Sequence, residues 1–324
     1  MGKKYLQIGT AFLCGLVICS LLIQKAGSGG FAQASTDAQT QSTAPVEQIV
    51  HTDTIWFFDA ATGVGKIDLE TYLIGVLLAE MPTSFEMEAL QAQAVAARTY
   101  ALKQQKENRH ISGAVCTDAG CCQAYVAVED YLNDLGYPED VDKAREAIQS
   151  TKGLVLTYND ALIEATYFHG SGGRTEPAVA VWGVDYPYLQ ATDSPGEEVM
   201  EHYEGEVFYT QAELEALLSR KLTGTPDSWV GLASYTAGGG VDSISICDVI
   251  YGGTELRSLL KLNSTKFTIS SEPDGLRITT LGKGHRVGMS QCGAQAMALQ
   301  GSTYQEILYH YYSGTRIDKI DEVG

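Results

Sequence analysis

Basic residues are scarce. Only 22 Lys and Arg stand against 40 Asp and Glu, a formal net charge of −18. Such an acid surplus excludes nucleic acid as the partner, because phosphate binding needs a basic face. Charge of either sign is thin too, at 19% against 44% hydrophobic residues, which suits a packed core rather than a disordered chain. There is no internal repeat, no phosphate-loop lysine motif and no G-x-S-x-G nucleophile elbow. Long apolar runs are missing except at the start, where residues 5–23 carry no charge, follow Lys3 and Lys4 and end before Lys25. About 20 apolar residues span a bilayer, and the leading lysines put the N-terminus in the cytoplasm. Residues 1–25 therefore read as a cytoplasmic tip and an uncleaved transmembrane anchor. Ala32-Gln33-Ala34 offers a signal-peptide cleavage site, but it lies well beyond the apolar run.

Cysteine is present in an awkward number. Of seven, Cys14 and Cys19 lie in the apolar run and five remain, so at least one thiol is unpaired in a monomer. His110, Cys116 and Cys122 are spaced H-x5-C-x5-C, with Cys121 as a fourth candidate. Thiolates and an imidazole on one short loop suit zinc. A Cys116–Cys122 or Cys116–Cys121 disulfide is the rival in an oxidising compartment.

Residues 26–48 are rich in Gly, Ser, Ala, Thr and Gln and read as a flexible linker. The folded part spans 49–324. Asp68 can cap a short helix over 69–79, which Met81-Pro82 stops. Thr83 and Glu86 have capping-box spacing before a long helix over 84–105, whose inner face of Leu90, Ala94, Ala97 and Ala101 is small. Another helix runs over 140–150, with Gly153 just past its end. Strands are expected at 154–158 and 162–168 around Asn159-Asp160, then at 241–251, 266–269 and 276–281. Helices over 291–299 and from Ser302 or Thr303 to 312 close the chain. The pattern predicts an α+β fold with two lobes, a helical one over about 49–152 and a strand-rich one over about 153–324.

Glu80 is the sharpest catalytic candidate. It ends a helix, where the dipole disfavours a carboxylate, and has apolar neighbours Leu77, Leu78 and Met81. Both effects raise its pKa and suit an acid that hands a proton to a leaving oxygen. Arg98 and Gln91 lie seven residues apart on one face of the long helix. Arg98 sits among small and apolar residues and needs an acidic or carbonyl partner, with Glu86, Glu88 or another acid as candidates. Two glycine-rich stretches, 168–176 and 284–291, allow close backbone approach to a ligand and carry Ser171, Ser290 and Gln291.

These motifs together resemble the stage II sporulation protein D family. The matching residues are Tyr72-Leu73-Ile74-Gly75-Val76, Ala79-Glu80-Met81-Pro82, the stretch from Glu88 through Arg98 to Ala101, Ser171-Gly172-Gly173-Arg174-Thr175, Pro187-Tyr188-Leu189, Val287-Gly288-Met289-Ser290-Gln291 and Ile307-Leu308-Tyr309-His310-Tyr311-Tyr312. The resemblance implies a membrane-bound lytic transglycosylase of the sporulating mother cell. Such enzymes cut between N-acetylmuramic acid and N-acetylglucosamine in peptidoglycan stripped of its peptides and leave 1,6-anhydro ends. It puts the catalytic carboxyl on Glu80, substrate contacts on Arg98, Gln91, Ser171, Thr175, Tyr188, Ser290 and Gln291, and a zinc site, with a structural role favoured, on His110, Cys116 and Cys122. No organic cofactor is implied. Other engulfment membrane proteins, including an amidase that removes stem peptides, are implied as partners. The chain departs from the family at Gln91, where lysine is usual, at Arg286, which replaces a glycine, and at Cys292, which replaces an aromatic residue. A wall-binding or structural component, and a zinc-dependent amidase or peptidase, are the competing readings.

Overall fold

A computed structural model describes residues 54–59, 63–110, 113–134, 136–201 and 203–323. The expected anchor and linker lie outside these residues. Among the described residues no helix is long and apolar enough to cross a membrane. Strands β1 (Thr54–Asp59) and β2 (Gly63–Asp68) form an antiparallel pair that delivers the chain to Asp68. There the Asp68 carboxylate accepts from Thr71 N at 2.8 Å and starts α1 (Leu69–Glu80), as its sequence position predicts. The long helix α2 (Met87–Lys106) starts later than expected. The Thr83–Glu86 capping box does not form, because the Thr83 hydroxyl bonds Asp140 Oδ1 (2.5 Å) and the Glu86 N–H bonds Gln295 Oε1 (2.7 Å). Tertiary partners have displaced a local cap.

The remaining elements alternate. They are β3 (Val115–Cys116), α3 (Val128–Asp134), α4 (Pro138–Ser150), β4 (Leu154–Tyr158), β5 (Ala161–Leu162), β6 (Tyr167–Phe168), α5 (Ala178–Trp182), β7 (Glu204–Thr210), α6 (Gln211–Leu217), α7 (Pro226–Trp229), β8 (Val230–Tyr235), β9 (Val241–Ile246), β10 (Val249–Gly252), α8 (Gly253–Leu259), β11 (Phe267–Glu272), β12 (Gly275–Leu281), β13 (Met289–Ser290), α9 (Gln291–Leu299), α10 (Tyr304–Tyr311) and β14 (Arg316–Lys319). The α+β reading describes this mixture. The β4–β5 hairpin turns at Asn159 and Asp160 with φ of 51° and 62°, as its sequence predicts. The strand expected over 162–168 is broken, since β5 stops at Leu162 and β6 instead runs parallel to β13. The strand expected over 241–251 is also two strands, reversed at Cys247 and Asp248 with φ of 44° and 64°.

The core around α2 draws on both halves of the chain. One apolar cluster takes Ala89, Ala92, Val95 and Ala96 from α2 together with Leu156, Leu189, Met289, Ile307 and Tyr311. Its members lie on both sides of the expected boundary. A second cluster, from Leu214 through Trp229 and Ile246 to Ile278, is built from elements between β7 and β12. The strand-rich part is therefore a segment with its own core, inserted between elements that complete the core around α2. The expected inner face of Leu90, Ala94, Ala97 and Ala101 is buried as well, so α2 is covered on more than that one face.

Candidate active site

Glu80 is the last residue of α1, and the Met81 N–H closes the helix on Leu77 O at 3.1 Å. Its carboxyl accepts from the Ala124 N–H at 2.6 Å, although the two residues lie 44 positions apart. Burial pushes the Glu80 pKa from 4.5 up to about 7, against the opposing pull of the Ala124 amide and the Gln291 side chain. The direction is the one its position predicts, but the leading cause is desolvation rather than the helix dipole. None of these influences is a second carboxylate. Glu88, which is near in sequence, is used elsewhere, as its Oε2 accepts from Tyr304 N at 2.6 Å.

The wall facing Glu80 is held by amides and phenols that the sequence did not single out. Gln123 is buried and satisfied at both ends. Its Nε2 donates to the Tyr72 hydroxyl (3.3 Å) and its Oε1 accepts from the Tyr167 hydroxyl (2.7 Å). Both phenols are pushed up by burial, and the Glu80 charge adds to the rise. Tyr125 stacks on Tyr72 with ring centroids 5.5 Å apart, and Phe57 meets both rings edge-on. The approach requires Gly75, where a Cβ would collide with Val126 O and the Tyr125 ring. Glycine there lets residues 124–126 lie against α1, so the Ala124 amide reaches Glu80. No local motif marks a backbone N–H, so only the adjacency of Gln123 to the Cys121-Cys122 pair could have drawn attention to this segment.

That segment leaves a cluster of metal-type ligands. The donor atoms of His110, Cys116, Cys121 and Cys122 lie within 4.8 Å of one another. His110 Nε2 is 3.4 Å from Cys121 Sγ and 3.3 Å from Cys122 Sγ. Thiolate and imidazole are the ligands zinc takes in tetrahedral sites, so three thiols and one imidazole offer a closed donor set. The cysteines are free thiols rather than disulfide partners. Cys116 is pulled down to about 5, first by its hydrogen bond with Cys122, whose own thiol is pushed up. A thiolate is thus already favoured among the ligands. Cys121, the spare fourth candidate in the sequence, completes the set.

Other sequence candidates have different partners. Arg98 is fully buried and grips Glu70 through Nε–Oε1 (3.1 Å) and Nη2–Oε2 (2.6 Å), with further bonds to Leu154 O and Ile148 O, both 3.2 Å. Glu70 precedes Glu80 by ten residues along α1, which is about 15 Å. Arg98 therefore braces α1, α4 and β4 and does not reach Glu80. Its partner is neither Glu86 nor Glu88. Arg98→Ala is expected to lose about 3–5 kcal/mol of stability by leaving Glu70 uncompensated. Chemical denaturation checks this, and an unchanged midpoint would refute the bracing role. An open depression of about 430 Å³, lined by Asp68, Glu70, Arg145 and Lys152 among others, lies at this N-terminal end of α1 rather than at Glu80.

Gln91 donates to Ser150 Oγ at 2.9 Å, also away from Glu80. Ser171 is buried, and its N–H and hydroxyl both bond the Glu197 carboxylate, which also receives Gly172 N and Ser194 Oγ. Thr175 is buried between Gln190 O and Thr192 N. The Tyr188 hydroxyl accepts from Glu164 N at 3.1 Å. Ser290 caps α9 by accepting from Gly293 N. Each of these expected substrate contacts has a hydrogen-bond partner inside the protein. Gln291 differs: its side chain meets the Glu80 carboxyl and favours the charged form.

Besides Gln91, the other two departures from the family pattern are also internal. Arg286 has φ of 67°, the left-handed conformation that favours glycine, and is fully buried. The strain is offset by bonds to Ser171 O, Glu176 Oε1, Arg174 O and Gly238 O. Cys292 is buried 3.7 Å from His169 Nε2, and burial pushes its thiol up to about 12, so it stays protonated.

The chain is similar to known proteins over most of its length. A family profile described as Stage II sporulation protein matches residues 59–158. The chain is 37% identical to the stage II sporulation protein D of Bacillus subtilis (strain 168) over 294 residues, covering 89% of this chain and 83% of that protein. It is 35% identical to the protein of that name from Bacillus amyloliquefaciens over 263 residues, covering 80% and 76% respectively. A more distant relative, at 28% identity, is named amidase enhancer in B. subtilis (strain 168); the match covers 76% of this chain and 40% of that protein.

Proposed function

Because this chain belongs to the stage II sporulation protein D family, we propose that it is a lytic transglycosylase that cleaves peptide-denuded glycan strands during forespore engulfment. The observation that carries this reading is a solitary, partly buried carboxyl, Glu80, poised at about 7. Hydrolysis of glycosidic bonds usually employs two carboxyl groups. A lytic reaction needs one. The protonated Glu80 gives its proton to the glycosidic oxygen as the C1–O bond of the muramic sugar breaks. The resulting carboxylate then takes the proton of that sugar's 6-hydroxyl as the hydroxyl oxygen bonds to C1. The product is a 1,6-anhydro end, and Glu80 is reprotonated. Tyr72, Gln123 and Tyr167 fix the wall that aims the Ala124 N–H at the carboxyl.

His110, Cys116, Cys121 and Cys122 would hold Zn²⁺. When bound, the ion supplies a cross-link that fixes the loop. Four protein donors leave no position for a catalytic water, which disfavours the zinc amidase or peptidase reading. The apolar run over 5–23 would hold the protein in the mother-cell membrane with residues 49–324 outside the cytoplasm. Stem peptides would be removed first by an amidase. The relative named amidase enhancer favours a second reading, in which the protein assists an amidase without cutting glycan.

Mass spectrometry of products from amidase-treated strands separates these readings. Anhydro ends, lighter by one water than hydrolysed ends, are expected from the protein alone. Strands that still carry stem peptides should be cut more slowly. Hydrolysed ends, released stem peptides or no cleavage would each overturn the proposal.

A further inference from the structure

The aromatic wall at Glu80 does not end at Tyr167. The next residue, Phe168, is buried and packs its ring on His285, with centroids 5.5 Å apart. Gly284 permits the approach, since a Cβ there would meet Phe168 Cβ at 2.9 Å. His285 is held in turn, its Nδ1 accepting from Val287 N at 3.2 Å. Trp182 packs on the same imidazole at 5.2 Å. It is the last residue of α5, which Gly183, at φ of 73°, closes by giving its N–H to Val179 O. Val181 and Tyr186 pin this stretch to the core around α2. Three rings from three segments thus form one fixed row, and its Trp182 end is open. Trp182 is 40% exposed, with Val179 at 49% and Val184 at 47%. A large indole that is already ordered loses little entropy on binding, which makes it an anchor for a ligand.

We propose that Trp182 is a stacking platform for a sugar ring of the glycan strand, beyond the sugar that meets Glu80. The inference rests on the glycan-cleaving reading for the identity of the ligand. Continuity with the catalytic wall selects a glycan over other occupants. The Tyr167 hydroxyl donates to Gln123, and the next residue, Ala124, gives its N–H to Glu80. Adjacent residues are about 3.8 Å apart, so Gln123-Ala124 and Tyr167-Phe168 lead from the acid to the aromatic row in two short steps. A polymer cut at Glu80 extends beyond the broken bond and needs a surface to lie on. The faces of a β-linked pyranose carry axial C–H groups, and the negative face of an indole attracts them. The platform therefore takes neutral sugar rings and makes the protein favour long strands over short fragments.

The test uses full-length protein in detergent and two readouts. On long denuded strands, Trp182→Ala should raise KM on the order of 10-fold with a much smaller change in kcat, and the preference for long over short strands should shrink with it. Trp182→Tyr, which keeps an aromatic face, should recover most of the loss. Separately, titrating an N-acetylglucosamine hexamer into Glu80→Gln should shift tryptophan emission to shorter wavelength, and adding Trp182→Phe should abolish the shift. Should Trp182→Ala fail to fold, Trp182→Tyr and the emission titration decide the matter. Equal losses in Trp182→Ala and Trp182→Tyr would show a packing role and overturn the platform. A wild type that cuts strands, with KM unchanged in Trp182→Ala and no emission shift, would also overturn it and leave this face to a protein partner, while the proposed function stands. A wild type that cuts no strand, yet whose Trp182 emission responds to the hexamer, would remove the proposed function and leave the platform.

Discussion

Glu80→Gln is expected to fold and to cleave denuded strands at least about 10³-fold more slowly than wild type, since general acid–base catalysis contributes about 10²–10⁴ and no second carboxylate shares the site. Glutamine is nearly isosteric and can neither give the proton nor take it back. The pH dependence follows from the same group. Wild-type kcat/KM should fall as pH rises through about 7, where the acid form is lost. Stability should follow a matching course. The folded protein holds the Glu80 proton more tightly than the unfolded chain, whose value is near 4.5. The stabilising contribution is therefore complete below about 4.5 and is lost as pH rises to about 7. Glu80→Gln removes this dependence. It should be more stable than wild type by about 2 kcal/mol at pH 8, after allowance for partial exposure, and should lose that advantage at pH 4. Denaturation at the two pH values measures the gap. Substantial turnover by the purified variant, or a pH-independent stability difference, would refute the role given to Glu80.

The second large effect concerns the metal. Protein purified without added metal should contain about one zinc per chain, and chelation should lower its melting temperature by roughly 10 °C or more, a loss of several kcal/mol for a domain of this size. An ion held by His110 and the three cysteines would cross-link their loop. Cleavage should weaken with chelation but persist in part. Cys122 lies two residues before Ala124, whose N–H bonds Glu80, so loosening the loop misplaces that amide without removing the acid. Cys121→Ser should still bind zinc, but more weakly, because three donors remain. Elemental analysis and thiol counting decide the matter. No zinc, with Cys116 and Cys122 unreactive until reduced, would restore the disulfide reading. Complete loss of turnover on chelation at unchanged melting temperature would instead make the ion catalytic.

Arg98 and Gln291 show how differently motif residues can behave. Both match the family pattern and both were expected to touch substrate. Arg98 is in a continuous helical motif, yet its fork meets Glu70, 28 residues earlier, and two carbonyls. Gln291 follows a glycine-rich turn, and its side chain meets the Glu80 carboxyl. Composition does not separate them, because a polar side chain on a small-residue helix looks the same whichever partner it finds. The distinction lies in which group the packed chain sets against it.

By itself the sequence determined what depends on neighbours a few residues away. Asp68 starts α1, Met81-Pro82 ends it at Glu80, Asn159-Asp160 turns a hairpin and the alanine spacing of α2 makes a close-packing face. It also named His110, Cys116 and Cys122 as donors with Cys121 in reserve, and the fold gathers all four. Caps, turns and helical periodicity are local, so they can be read locally. Only the tertiary structure decided the rest. It drew Thr83 to Asp140 instead of a capping box, turned the chain at Cys247-Asp248, and satisfied Ser171, Thr175, Tyr188 and Ser290 internally. It also set the Ala124 N–H against a carboxyl 44 residues away and withdrew that carboxyl from water. Desolvation and long-range pairing are properties of the packed chain as a whole, and they govern the proton affinity of Glu80.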